Sequence, residues 1–148
     1  MFGMTMASPR TKTILVIDDD KPTCEYFEAL LKAEGFRIKT ANGGEAAMRQ
    51  IKSGPENQFD LVVLDLMMPK YSGYEVLKEL QQVAYRNIPI FIATAKVLDQ
   101  GTVELLNSES NVRGFWAKPI DSKIFKAKIH EILGTTSASS KPAALPSS

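Results

Sequence analysis

The chain has 148 residues, 44% of them hydrophobic and 24% charged, which is the size and composition of one ordinary domain that can bury a core without metal or disulfide staples. A net charge of +1 provides no global field for nucleic acid or an anionic membrane, and a single cysteine, Cys24, excludes an internal disulfide. No apolar stretch approaches the roughly 18 to 20 residues that span a bilayer, and residues 1–10 lack the apolar centre of a signal peptide, so a cytoplasmic, reducing setting without membrane insertion is expected.

Residues 1–11 read as a flexible N-terminus. The apolar run at 13–17 is short and rich in Ile and Val, which suits a buried strand, and it ends in Asp18-Asp19-Asp20. Pro22 in a first turn, a stripe of Cys24, Phe27, Leu30 and Leu31, and Gly35 as a stop predict a helix. At 36–41, Phe36 and Ile38 alternate with Arg37 and Lys39, as in an edge strand, and a weaker helical pattern covers 44–53. The run at 59–64 contains Leu61-Val62-Val63-Leu64, the continuous apolar signature of a central strand covered on both faces, and finishes at Asp65. Val76, Leu77, Leu80 and Val83 or Ala84 predict the next helix. A fourth strand at 88–93 leads to Thr94, and a weaker helix follows at 98–108, interrupted by Gly101. A fifth strand at 114–117 precedes Lys118-Pro119, and Ile120, Ile124, Phe125, Ile129, Ile132 and Leu133 mark the last helix. Residues 135–148, after Gly134, are almost all Ser, Thr, Pro and Ala and read as a disordered tail or linker.

Five repeats of strand then helix imply a parallel sheet with helices on both faces and right-handed crossovers. Five units are too few for the eightfold barrel. The expected fold is therefore α/β and doubly wound, a flavodoxin-like five-stranded sheet of order 2-1-3-4-5 with five helices, in one domain over 12–134.

Ligands of such sheets bind outside the carboxyl ends of the strands. Asp18, Asp19, Asp20, Asp65, Thr94 and Lys118 all fall there. Carboxylates gathered at one rim repel and raise one another's pKa, which a hard, oxygen-seeking divalent cation such as Mg2+ resolves. Asp18 or Asp19 together with Asp65 can ligate it, leaving positions for water, a backbone carbonyl and a phosphoryl oxygen. Lys118 adds positive charge for the same anion and Thr94 a hydrogen-bond donor. This is a constellation for phosphoryl transfer with an Asp as covalent acceptor.

The motifs "ILVIDDD", "LVVLDLMMPKYSG", "PIFIATA" and "FWAKPI", in this order over about residues 12 to 133, resemble the receiver domain of two-component response regulators. The resemblance implies that Asp65 is the phospho-acceptor, that Asp18, Asp19, Asp65 and the Met67 carbonyl hold Mg2+, and that Thr94 is the switch hydroxyl. It further implies that Lys118 pairs with the phosphoryl group across a cis bond to Pro119. Phe115 stands where the family usually has Tyr; it keeps an aromatic switch and loses the hydroxyl contact. Met67 and Lys96 correspond to positions that tune dephosphorylation, and their bulk predicts slow self-hydrolysis. The implied function is a phosphorylation-controlled signalling switch rather than an enzyme, its phosphoryl donor a histidine kinase or phosphotransfer protein. Its readout would be protein contact on the face of helix 4, strand 5 and helix 5, without direct nucleic acid binding and with a phosphorylation-dependent homodimer left open. Too few residues follow Leu133 for an output domain, so a stand-alone receiver or a receiver fragment of a larger regulator is expected.

A phosphatase of the haloacid dehalogenase type would need a second Asp two residues after the nucleophile, where this chain has Met67. A constitutive interaction module with a receiver fold is the remaining alternative, and the intact acidic set argues against it. Among the other residues, Asp20 is read as a helix cap, Trp116 as packing, Cys24 as a small buried hydrophobe, and His130 with Lys123, Lys126 and Lys128 as surface.

Overall fold

A computed structural model describes residues 6–55 and 58–138. Five strands, β1 (Thr13–Ile17), β2 (Arg37–Ala41), β3 (Leu61–Leu64), β4 (Ile90–Thr94) and β5 (Val112–Ala117), alternate with helices α1 (Lys21–Lys32), α2 (Gly44–Ser53), α3 (Gly73–Glu79), α4 (Gln100–Asn107) and α5 (Ser122–Leu133). The strands form one parallel sheet of order β2-β1-β3-β4-β5. This is the doubly wound order expected from the alternation.

Successive strand residues face opposite sides of a sheet, and the core divides accordingly. Leu15, Ile17, Val62 and Leu64 join Ala47, Ile51, Val76 and Leu77 on one face. Ile14, Val16, Leu61 and Val63 meet Phe27, Leu31, Phe125 and Ile129 on the other. β3 is buried at every position and β2 alternates, as a central and an edge strand should. Phe125 anchors the second face, its ring centroid 5.4 Å from Phe27, 5.8 Å from Phe91 and 5.0 Å from Trp116.

Four of the five helices start on a side-chain cap. Asp20 accepts from the Thr23 N–H and caps α1, Ser72 and Glu75 form a capping box on α3, and Asp99 and Asp121 cap α4 and α5. Gly35 and Gly134 take positive φ, +107° and +65°, which a residue without Cβ adopts at little cost.

Four sequence expectations are corrected. Helix α3 stops at Glu79, and Val83 is 76% exposed instead of continuing the stripe; the chain turns there to reach β4. Ile124 is exposed, because α5 presents Phe125 and Ile129 to the sheet. His130 is not a surface residue, since its side chain lies between Glu34 and Thr135. Parts of the supposed ends are structured: Pro9–Thr11 form a 3-10 turn capped by Ser8, the Ala7 N–H donates to the Gly134 carbonyl and the Ala138 N–H to the Glu34 carbonyl. Backbone hydrogen bonds to the domain, which composition does not reveal, hold these segments. The remainder of the expected tail, 139–148, and residues 1–5 lie outside the described residues.

Candidate functional site

Asp18 follows β1 and Asp65 follows β3. The register pairs Ile17 with Leu64, so the two carboxylates emerge side by side from the centre of the sheet. Their neighbour on the other side is Thr94, last residue of β4, and Thr94 pairs with Ala117 of β5, which delivers Lys118 to the same rim. Between Ile90 and Phe91 the pairing with β5 shifts by one residue. That irregularity sets Phe115 opposite Ile92 and Trp116 opposite Ala93, so the Phe115 ring packs with the β3–α3 side of the core and Trp116 with the α1–α5 side.

Asp18, Asp65 and Thr94 are buried and Asp19 is exposed. One carboxylate oxygen from each of Asp18, Asp19 and Asp65 lies within 4.8 Å of the others. The Lys118 Nζ forms an ion pair with Asp18 Oδ2 and stands 4.0 Å from Asp65 Oδ2. Asp18 Oδ1 accepts from the Asp20 N–H at 2.9 Å and Asp65 Oδ1 from the Met67 N–H at 3.3 Å. Burial pushes the Asp65 carboxyl above the ordinary range and the Asp18 charge adds to the rise, while Lys118, the Met67 N–H and the Thr94 hydroxyl oppose it. The donor set is all oxygen and strongly anionic, which fits a hard divalent cation and excludes a soft one.

The loop after Asp65 is held by close backbone approach. The Gly73 N–H donates to the Leu66 carbonyl, and a Cβ at Gly73 would lie 2.1 Å from the Asp65 carbonyl oxygen. Only glycine fits. The Lys118-Pro119 bond is cis, as the resemblance implies. Thr94, Lys96, Leu98, Val103 and Phe115 line an open pocket of about 400 Å³ beside the carboxylates.

Every residue singled out at the strand ends thus converges on one rim. Sequence reading missed one neighbour: the Cys24 thiol donates to the Asp18 carbonyl at 3.2 Å. Burial, with the Asp18 charge, pushes that thiol up to about 11, so it stays protonated as a donor. Only its place one turn after the acidic triplet hinted at this.

The Response regulator receiver domain family matches residues 14–130. The chain belongs to that family. Over 120 residues it is 36% identical to "Transcriptional regulatory protein CpxR homolog" of Haemophilus influenzae, covering 81% of this chain and 49% of the relative. "Transcriptional regulatory protein ZraR" of Klebsiella oxytoca is 35% identical over 129 residues, covering 87% of this chain and 28% of the relative. The chain therefore spans half or less of these curated relatives. Among solved structures, a two-component response regulator from Clostridium difficile superposes with a TM-score of 0.71 at 30% identity, covering 82% of this chain and 95% of that one. The acidic cluster of Asp18, Asp19 and Asp65 is consistent with the metal site typical of receiver domains, which partner histidine kinases and are generally non-catalytic phospho-acceptors. No helix among the described residues is long and apolar enough to cross a membrane.

Proposed function

We propose that the chain is a phosphorylation-controlled switch in which Asp65 accepts a phosphoryl group from the phosphohistidine of a histidine kinase or phosphotransfer protein. The observation that carries this reading is the convergence of Asp65 with Asp18, Asp19, Lys118 and Thr94 at one sheet rim. A carboxylate oxygen of Asp65 attacks phosphorus, the P–N bond breaks, and the electron pair leaves with the imidazole. Asp18, Asp19, Asp65 and the Met67 carbonyl would hold Mg2+, which when bound supplies charge neutralisation for the phosphoryl oxygens.

Lys118 already bridges Asp18 and Asp65, so a short swing of its ammonium reaches a phosphoryl group on Asp65. The Thr94 hydroxyl donates to the same group, and its movement frees space for Phe115 to turn inward. The shift between the two states is as large as the difference in these contacts. Val97, Leu105 and Ile124 are exposed on α4, its approach and α5, which supports readout by protein contact on the α4–β5–α5 face, without direct nucleic acid binding. Met67 and Lys96 are exposed, and at the positions the resemblance assigns them their bulk hinders an attacking water, so self-hydrolysis is slow. The switch works in the cytoplasm, as a stand-alone receiver or as the receiver part of a longer regulator.

The test is a titration of Mg2+ and then beryllofluoride, read by Trp116 fluorescence, with intact mass after acetyl phosphate. Saturable, Mg2+-dependent changes and a phosphoryl adduct in wild type, both absent in Asp65→Asn, support the switch. Absence of both in wild type overturns it in favour of a constitutive interaction module.

A further inference from the structure

At the end of the sheet opposite the acidic pocket, a second polar cluster joins three parts of the chain. Glu34, 5% exposed, lies in the corner between α1 and β2. Its Oε1 accepts from His130 Nε2 at 3.0 Å and its Oε2 pairs with Lys126 at 3.4 Å, both from α5. The other ring nitrogen of His130 hydrogen-bonds the hydroxyl of Thr135 at 2.7 Å, and the ring stacks on Phe36 at 4.9 Å.

Beyond α5 the chain does not leave at once. Thr135 is 2% exposed, its N–H returns to the His130 carbonyl at 3.0 Å, and the Ala138 N–H donates to the Glu34 carbonyl at 3.0 Å. Ser137 adds a hydrogen bond to the Glu34 carboxylate. The seat is shaped for this segment: a Cβ on Gly35 would meet the Ala138 Cβ at 2.8 Å and the Pro9 Cβ at 3.0 Å. From the other terminus, the Ala7 N–H donates to Gly134. Burial alone would push the Glu34 carboxyl up, yet the hydrogen bonds from Ser137 and His130 and the Lys126 charge outweigh it and hold the carboxyl below its ordinary value. The cluster is thus satisfied as an ionised, hydrogen-bonded unit.

We propose that residues 135–138 are a strap that locks the last turn of α5 onto the α1–β2 corner and holds Ala138 at one fixed point beside the N-terminal segment, at the end of the sheet away from Asp65. The strap makes α5 and residues 135–138 one unit with the α1–β2 corner. The strap is independent of phosphoryl chemistry.

Amide hydrogen exchange on the full chain tests it, comparing wild type, Glu34→Ala and Ser137→Ala, with the Val62 and Val63 amides as the control for the folded core. Ala138 is an exposed residue whose amide donates to the Glu34 carbonyl, so protection there reports the strap. The expected result is an Ala138 amide protected at least about tenfold in wild type, consistent with a local opening cost of a hydrogen-bonded cluster. Glu34→Ala keeps the backbone carbonyl that accepts the Ala138 N–H but removes the carboxylate that anchors Ser137 and His130, so it lowers that protection several-fold with core exchange unchanged. Unprotected Ala138 in wild type, or protection undiminished by Glu34→Ala in a folded core, overturns the proposal. If Glu34→Ala loosens the core as well, Ser137→Ala decides by the same readout, since it removes only a half-buried hydroxyl.

Discussion

Replacing Lys118 by Met removes the cation that, among the described residues, pairs with Asp18 and Asp65 and keeps most of the aliphatic stem. At an effective dielectric of about 20, unit charges 4 Å apart attract by about 4 kcal/mol, and the ammonium stands 4.0 Å from Asp65 and closer still to Asp18. The lysine's own desolvation offsets part of this, because its side chain is only 20% exposed. Removing one partner of a buried pair leaves the other charge uncompensated, at about 3–5 kcal/mol, and the half-open rim with Asp19 at its edge places the expected loss at the lower end, about 3 kcal/mol. For a domain of this size that corresponds to a fall in Tm of about 9 °C. The assay is thermal or urea unfolding of wild type and Lys118→Met, first in chelator and then in saturating Mg2+. A divalent cation takes over the charge that the lysine supplied, so the variant binds Mg2+ more tightly and gains more stability from it. The gap between the two proteins should close by half or more. Equal stability in chelator, or a gap that Mg2+ leaves unchanged, would refute the electrostatic account of the pocket.

Asp65→Asn should stabilise the metal-free protein. The folded Asp65 carboxyl sits above its ordinary value because of burial and the Asp18 charge, so ionised Asp65 costs stability at neutral pH, and that cost disappears as pH falls below the unfolded carboxyl range; urea midpoints at pH 7 and at acid pH measure both. Glu34 has the opposite sign: its carboxyl is held low, so its contribution is present above the ordinary carboxyl pKa and lost as pH falls through the folded value, and the stability difference between wild type and Glu34→Gln should shrink on acidification. Gly73→Ala puts a Cβ 2.1 Å from the Asp65 carbonyl and 2.6 Å from the Leu66 Cα, backbone atoms with no rotamer to yield. A loss of about 3 kcal/mol is expected by overpacking, together with weakened Mg2+ binding in the same fluorescence titration. Phe125→Ala should cost about 3–5 kcal/mol in urea unfolding, since the ring meets Phe27, Phe91 and Trp116.

Strand positions and the strand-end residues Asp18, Asp19, Asp65, Thr94 and Lys118 were legible from the sequence because each is a local signal: an apolar run, its burial on two faces, and the polar residue that stops it; the doubly wound order came from the strand–helix alternation and general rules of such sheets. What local pattern cannot carry is pairing across the chain. Nothing around Glu34 or His130 announces that residues 96 positions apart share a hydrogen bond, so His130 read as surface and residues 135–138 as tail. The Cys24 thiol on the Asp18 carbonyl, the one-residue shift between β4 and β5, and the early stop of α3 are of the same kind. Periodicity in the sequence fixes which face of an element is apolar, because burial is a property of each side chain in its own strand or helix. The tertiary structure alone decided which charges meet, because an ion pair or a strap depends on the relative placement of elements, and that placement is set by the whole core at once.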